Sequence, residues 1–227
     1  MHFSHITGIV SCTVAAFISI APIQAEAATF KVESGVTSID RDHENILKNL
    51  GLPITNTQDT VPPIPSNYLV GFQIDSDTNF TFSDEGGFTP LFGTIEHTGT
   101  VTIKNQITVG KFSIGFASGR TVSNASGLVL RDTVSSINPI LFDLSAPQSV
   151  IFDEQNLTLT LADVQLLISP EFAQQLGNSN LAGLFAGTAR IDAKVAAVPE
   201  PGSALAILAA GAALLAARFS TQKTKYI

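Results

Sequence analysis

Thr188-Ala189-Arg190-Ile191-Asp192-Ala193-Lys194-Val195 sets an apolar side chain at every second position and a polar or charged one between. A strict period of two marks a strand with one buried and one wet face. The same period recurs upstream. Leu157-Thr158-Leu159-Thr160-Leu161 repeats it, and Phe112, Ile114 and Phe116 form one face bounded by Gly110 and Ser118-Gly119. Phe72 and Ile74, Phe80 and Phe82, and then Ile95, Val101, Ile103, Ile107 and Val109 continue it. Shorter apolar runs at Leu128 to Val134, Leu141 to Leu144 and Val150 to Phe152 are each bracketed by Gly, Asn, Pro or Asp. Thr, being β-branched, suits the wet face of such strands. The spacing predicts a mainly β domain, an antiparallel β-sandwich or curved sheet with one or two short helices.

Two segments switch to a helical pattern. Ile39, His43, Ile46, Leu47 and Leu50 recur near a 3.6 period, with Asp42 and Glu44 early, Lys48 late and Gly51 as a stop, predicting a helix over 40–49. Ser169-Pro170-Glu171 supplies a cap, a first-turn proline and an acid at the positive helix end, and Gly177 ends that helix. Between residues 52 and 67, Pro53, Pro62, Pro63 and Pro65 lie among Thr, Asn and Ser, which reads as a linker or loop. The expected organisation is a signal at 1–27, a helical segment and linker at 28–66, a β-rich exported domain at 67–197, and a tail at 198–227.

Both ends read as addresses. An apolar run from Ile6 to Ile20 is followed by Pro22, and Ala25-Glu26-Ala27 places small residues where signal peptidase needs them. This predicts a signal helix, handling by the secretion machinery and cleavage after Ala27. Cys12, the single cysteine, lies inside that segment, so disulfide and thiolate chemistry are excluded from the rest of the chain. At the other end, Pro199-Glu200-Pro201 precedes the uncharged run Ala204 to Ala217, which includes Ala204, Leu205, Ile207, Leu208, Leu214 and Leu215. Arg218, Lys223 and Lys225 lie beyond it. At ~1.5 Å per residue the run spans roughly 21 Å against a hydrocarbon core of ~30 Å, predicting a thinly held transmembrane helix. Cations after the run favour a cytoplasmic C-terminus, with everything before it exported.

Pro-Glu-Pro, a short apolar helix and a basic end resemble the PEP-CTERM sorting signal of exported bacterial proteins. The resemblance is confined to about the last 30 residues. It implies that Pro199, Glu200 and Pro201 are recognised by an exosortase-like sorting enzyme. It also implies an inner-membrane-anchored intermediate, a destination in the cell envelope or outside the cell, and an association with exopolysaccharide.

The segment from Ala28 to Ala197 carries nine basic and seventeen acidic residues, a net charge of −8. Such an acidic surface repels phosphate backbones, which excludes nucleic acid as a partner. Few residues suggest chemistry. His43, beside Asp42 and Glu44, and His97, in Gly93-Thr94-Ile95-Glu96-His97-Thr98-Gly99, are both expected at solvated positions. Asp75, Asp77 and Asn79 open like a calcium loop, but Phe80 and Gly86 stand where an EF-hand needs Gly and Glu. A polar turn with Asx hydrogen bonds is the expected alternative, and calcium is the only cofactor suggested. Ser118 and Ser126 lie at turns without a nucleophile elbow, whereas Asp143, Asp153, Glu154 and Asp163 leave paired-carboxylate chemistry to geometry. No catalytic residue is assigned. The sequence thus predicts a non-enzymatic exported structural or interaction protein; the alternative is a secreted carbohydrate- or calcium-binding β-sandwich module.

Overall fold

The alternating segments pair into antiparallel ladders around three long strands. In chain order the elements are β1 (Thr29–Ile39), α1 (Asp42–Asn49), β2 (Ile54–Gln58), β3 (Val70–Gln73), β4 (Thr81–Ser83), β5 (Thr89–Phe92) and β6 (Thr94–Glu96). They continue as β7 (Thr100–Ile103), β8 (Ile107–Gly110), β9 (Ser113–Phe116), β10 (Leu128–Arg131), β11 (Ile140–Leu144), β12 (Ser149–Asp153), β13 (Thr158–Ile168), α2 (Pro170–Gln175) and β14 (Phe185–Val198). The computed structural model describes residues 28–120, 122–135 and 138–199. The predicted signal helix with Ala25 and Ala27 lies outside the described residues. So do Glu200, Pro201, the predicted transmembrane run and Arg218, Lys223 and Lys225. Among the described residues, no helix is long and apolar enough to cross a membrane.

The sheet curls almost into a closed barrel. Pairing runs β1-β14-β13-β11-β10-β9-β6, and β3 lies on the other side of β1. The ring is completed where β3 runs on to meet β6: Ile74 bridges His97, the Asp75 N–H donates to the Glu96 carbonyl at 2.7 Å, and the Thr98 N–H donates to the Gln73 carbonyl at 2.9 Å. Because β1, β13 and β14 are long, each serves two curls. The N-terminal part of β1 pairs with β4 while its C-terminal part pairs with β3, and β13 divides in the same way between β12 and β11. Bulges between Val32 and Ser34, and between Leu161 and Val164, bend the strands where the two curls meet.

Each end of the barrel is filled differently. Near the termini, Phe30, Phe82, Phe88 and Phe152 form a plug, with centroid separations of 4.6 Å for Phe30–Phe152 and 5.2 Å for Phe82–Phe88. Such ring pairs contribute about 0.5–1.5 kcal/mol each beyond their burial. The opposite end is covered by α1, α2 and a separate sheet of β2, β7 and β8. The helix α2 begins as its sequence predicts: Ser169 Oγ accepts from the Phe172 N–H at 3.0 Å and donates to the Ile140 carbonyl at 2.6 Å.

Residues 28–66 depart from their reading as helix plus linker. The helix is present, but β1 precedes it as a central strand and β2 occupies part of the predicted loop. The bulge after Val32 breaks the period of two in β1, so Phe30 and Val32 point inward but Thr37 and Ile39, of opposite parity to a continued even pattern, do so beyond it. Gly35 makes this crossing possible. Its φ is +147°, and a Cβ there would sit 2.2 Å from the Asp192 carbonyl oxygen, whereas Gly51 at φ +70° has open space. Gly35→Ala is therefore expected to lower stability in urea unfolding by about 3 kcal/mol or more, and Gly51→Ala by about 1 kcal/mol. Equal losses for the two would remove the packing argument.

Candidate functional site

Beneath the cap lies a cavity of about 50 Å³ lined by side chains from nearly every element of that end, among them Ile39, Leu47, Val101, Leu141 and Phe172. Two histidines, His43 and His97, belong to the lining. This corrects the sequence expectation: His43 is 6% exposed and His97 4% exposed, so neither is solvated. His97 is held inside because both ring nitrogens find partners. Its Nδ1–H donates to the Phe112 carbonyl at 2.9 Å, which makes Nε2 the acceptor for the Thr37 hydroxyl at 2.7 Å. This bond pair ties β1 to the seam where β6 meets β3.

His43 is brought inward by its helix. On α1 the buried side chains are His43 and Leu47, one turn apart. Its Nδ1–H donates to the Ala186 carbonyl. The close approach needs Gly187 on β14, where a Cβ would stand 2.8 Å from the His43 ring. Desolvation lowers the pKa of both histidines to about 4, outweighing the backbone hydrogen bonds and the carboxylates of Asp40 near His43 and of Glu96 and Asp75 near His97, which act to raise it. Both rings are therefore neutral at pH 7.

The strongest charge cluster lies apart from this lining. Arg120 donates to both carboxylate oxygens of Asp143, at 2.5 and 2.7 Å, and to both of Glu171, at 2.6 and 3.0 Å. Asp143 is fully buried, and the two acids hold the Arg120 guanidinium well above its usual pKa while the Glu171 carboxyl is held below its own. The cluster clamps the loop after β9 to β11 and to the start of α2. Nothing local in the sequence marks Arg120, although an Asp inside Leu141-Phe142-Asp143-Leu144 signals a buried partner. The other carboxylates do not join it. Asp153 accepts from Asn156 within the β12–β13 turn, Glu154 is exposed in the same turn, and Asp163 is exposed at a bulge.

The Asp75 to Asn79 segment forms a turn. Asp75 Oδ1 accepts from the Asp77 N–H at 3.2 Å, and Asn79 Oδ1 accepts from the Thr94 N–H at 2.7 Å, pinning the start of β6. Among the described residues no three His, Cys, Asp or Glu side chains are grouped as a metal site. Pro199, the one described member of the predicted sorting element, is exposed just past β14. Comparison with protein-family models, curated proteins and solved structures returns no match.

The buried histidines make stability depend on pH. The unfolded chain protonates them near pH 6.5 and the folded one only near 4, so their contribution is complete above about pH 6.5 and falls as pH drops toward 4. Urea unfolding at pH 7 and pH 4.5 should differ by about 2 kcal/mol per histidine, and replacing both by Gln should flatten the profile. Arg120→Ala, which strands Asp143, should cost about 3–5 kcal/mol, with part recovered by adding Asp143→Asn. No recovery in the double variant would count against an unpaired charge as the cause.

Proposed function

We propose that the chain is an exported, non-enzymatic β-barrel protein, sorted by its C-terminal signal to the cell envelope or the extracellular space, where it serves as a structural or interaction component. One observation carries this reading: Thr29 pairs with Val198, so both predicted addresses leave the barrel side by side. A cut after Ala27 precedes β1, and the Pro-Glu-Pro element comes after β14. Either address can then be removed without taking a strand from the sheet. Held by its transmembrane helix, the barrel would stand with the phenylalanine plug toward the inner membrane and the capped end away. The turns holding Asp84 and Glu85, and Asp153 and Glu154, would face the bilayer, and their charge would keep the domain off an anionic surface.

Exopolysaccharide is the surrounding material this reading favours. A carbohydrate-binding module is the second reading, and one feature favours it. A groove of about 450 Å³ between α1, β2 and the loop after β2 presents Glu44, Thr55, Asn56, Thr57 and Thr60 beside the apolar Val61 and Leu69. Neutral hydroxyl and amide groups flanking an apolar floor suit the mixed polar and C–H faces of a sugar.

In native cells, mass spectrometry of the mature protein should find a C-terminus near the Pro-Glu-Pro element. An intact tail ending at Ile227 on surface-retained protein would defeat the sorting reading. Deleting 199–227 should release the domain unprocessed into the periplasm or medium. A glycan array probed with the full chain tests the second reading, with Asn56→Ala and Thr57→Ala expected to weaken any signal several-fold.

A further inference from the structure

The curl around the phenylalanine plug is not closed. Its strands run β5-β4-β1-β14-β13-β12, so β5 and β12 are its edges. An open sheet edge is a template for pairing with another chain, and the other edges here carry a device against it. β5 holds Pro90, which has no N–H, and is bulged where Thr81 and Phe82 meet Phe92 and Pro90. β2 is bulged at Thr55. The end of β8 is covered by the loop after β10, where Asp132 Oδ1 accepts from the Gly110 N–H and the Thr133 N–H donates to the Gly110 carbonyl. β12 has none of these. Ser149 to Asp153 pair with β13 without a shift in register and include no proline or lysine, and among the described residues no second strand pairs with them.

The faces and the free edge of β12 can be assigned. Phe152 points into the plug, with its ring centroid 4.6 Å from that of Phe30 and 5.5 Å from that of Phe82. Val150 shares that side and Ile151 lies on the outer one. Val150 is 40% and Ile151 61% exposed. The Leu157 carbonyl accepts from the Val195 N–H and the Ala162 carbonyl from the Gln148 N–H, so between these positions the odd residues of β13 turn to β14 and the even ones to β12. Ile151, opposite Thr160, therefore bonds to β13, while the N–H and C=O groups of Val150 and Phe152 point out from the free edge.

We propose that β12 is a dimerisation edge, occupied by β12 of a second copy of this chain in antiparallel register about Ile151. The strand is complementary to itself about that residue. Val150 of each copy meets Phe152 of the other and exchanges both backbone bonds with it, using the groups that point outward. Ile151 meets its own counterpart in a non-hydrogen-bonded pair, with Cα atoms about 4.5 Å apart, so two exposed side chains cover each other. Charge permits the pairing. Asp153, the one charged residue of the strand, falls opposite Ser149 of the other copy, and the two Asp153 side chains stand roughly 13 Å apart at ~3.3 Å per residue, beyond the ~8 Å screening length of physiological salt. A ladder of 5 residues buries far less than the ~1,200 Å² of a standard interface, which makes the dimer a transient one. The two-fold reverses the barrel axis, so the termini of the two copies leave at opposite ends. The contact is independent of how the chain is sorted.

The test uses the full chain in detergent, which lets the two tails lie at opposite ends, with Cys12→Ser removing the native thiol. Under mild oxidation Ile151→Cys should cross-link into a dimer, since a Cα separation of about 4.5 Å is within disulfide range. Ser149→Cys, exposed on the same strand, should not, because its counterpart lies roughly 13 Å away. Adding Asp153→Cys to Ser149→Cys should restore the cross-link. Equal cross-linking of the two single variants, or none at Ile151→Cys, would overturn the proposal. In analytical ultracentrifugation the chain without β12 substitutions should gain mass with concentration, and Ile151→Lys, which sets two ammonium groups face to face, should weaken that association at least tenfold. Val150→Pro, which removes a free-edge N–H and no bond to β13, serves if the lysine variant loses its melting transition. A chain that stays monomeric throughout, because its own tail covers the edge or because the edge takes a different partner, refutes the dimer. Association left unchanged by the folded variant places the contact elsewhere and refutes it too.

Discussion

The first and last strands of the described chain lie side by side, and the architecture hangs on that pairing. β1 and β14 match from Thr29↔Val198 to Ile39↔Ala189, and every other strand of the barrel attaches to one flank or the other. Closing a loop of this length costs on the order of 4 kcal/mol in chain entropy before any contact forms. The compensation is spread along the ladder and the side chains beneath it, including Phe30, Val32, Ile191, Ala193 and Val195, all buried. A fold dominated by such distant pairings is expected in the slower range of single domains.

Closure depends on neutral polar groups placed where the ladder runs out. At the seam between β3 and β6, His97 replaces what a longer ladder would have supplied, spanning from Thr37 on β1 to the carbonyl of Phe112. On the cap, His43, itself a residue of α1, ties that helix to β14 through its one bond to the Ala186 carbonyl. An imidazole can link two elements through opposite edges while carrying no charge, which is why it can be buried here at neutral pH. Arg120 performs the equivalent task with charge at the loop after β9, and there two carboxylates are needed to offset the desolvation.

The mainly β character and both helices are legible in the sequence because their signals are local. Thr188 to Val195 and Leu157 to Leu161 alternate without interruption, and Ser169-Pro170-Glu171 encodes its cap directly. What the sequence hides is set by distant partners. β1 is concealed because its bulge and Gly35 reverse the parity of the pattern, and because buried Thr37 and Ser38 look like surface residues until their partners, His97 and the Ile64 N–H, are seen. The histidines read as solvated for the same reason. Their burial depends on the carbonyls of Ala186 and Phe112, which lie 143 and 15 positions away along the chain, and on the space left by Gly187. Asp143 signals a buried partner, yet only the fold brings Arg120 and Glu171 to it.

The position of β14 between β1 and β13 also determines how the barrel bears load. A pull transmitted through Pro199 runs along the axis of a 14-residue strand whose hydrogen bonds to both neighbours lie across that axis. Force in that direction shears many bonds at once, whereas force across the ladder would peel them one after another. A domain tethered at this point and gripped at its capped end is thus loaded in its mechanically strongest direction.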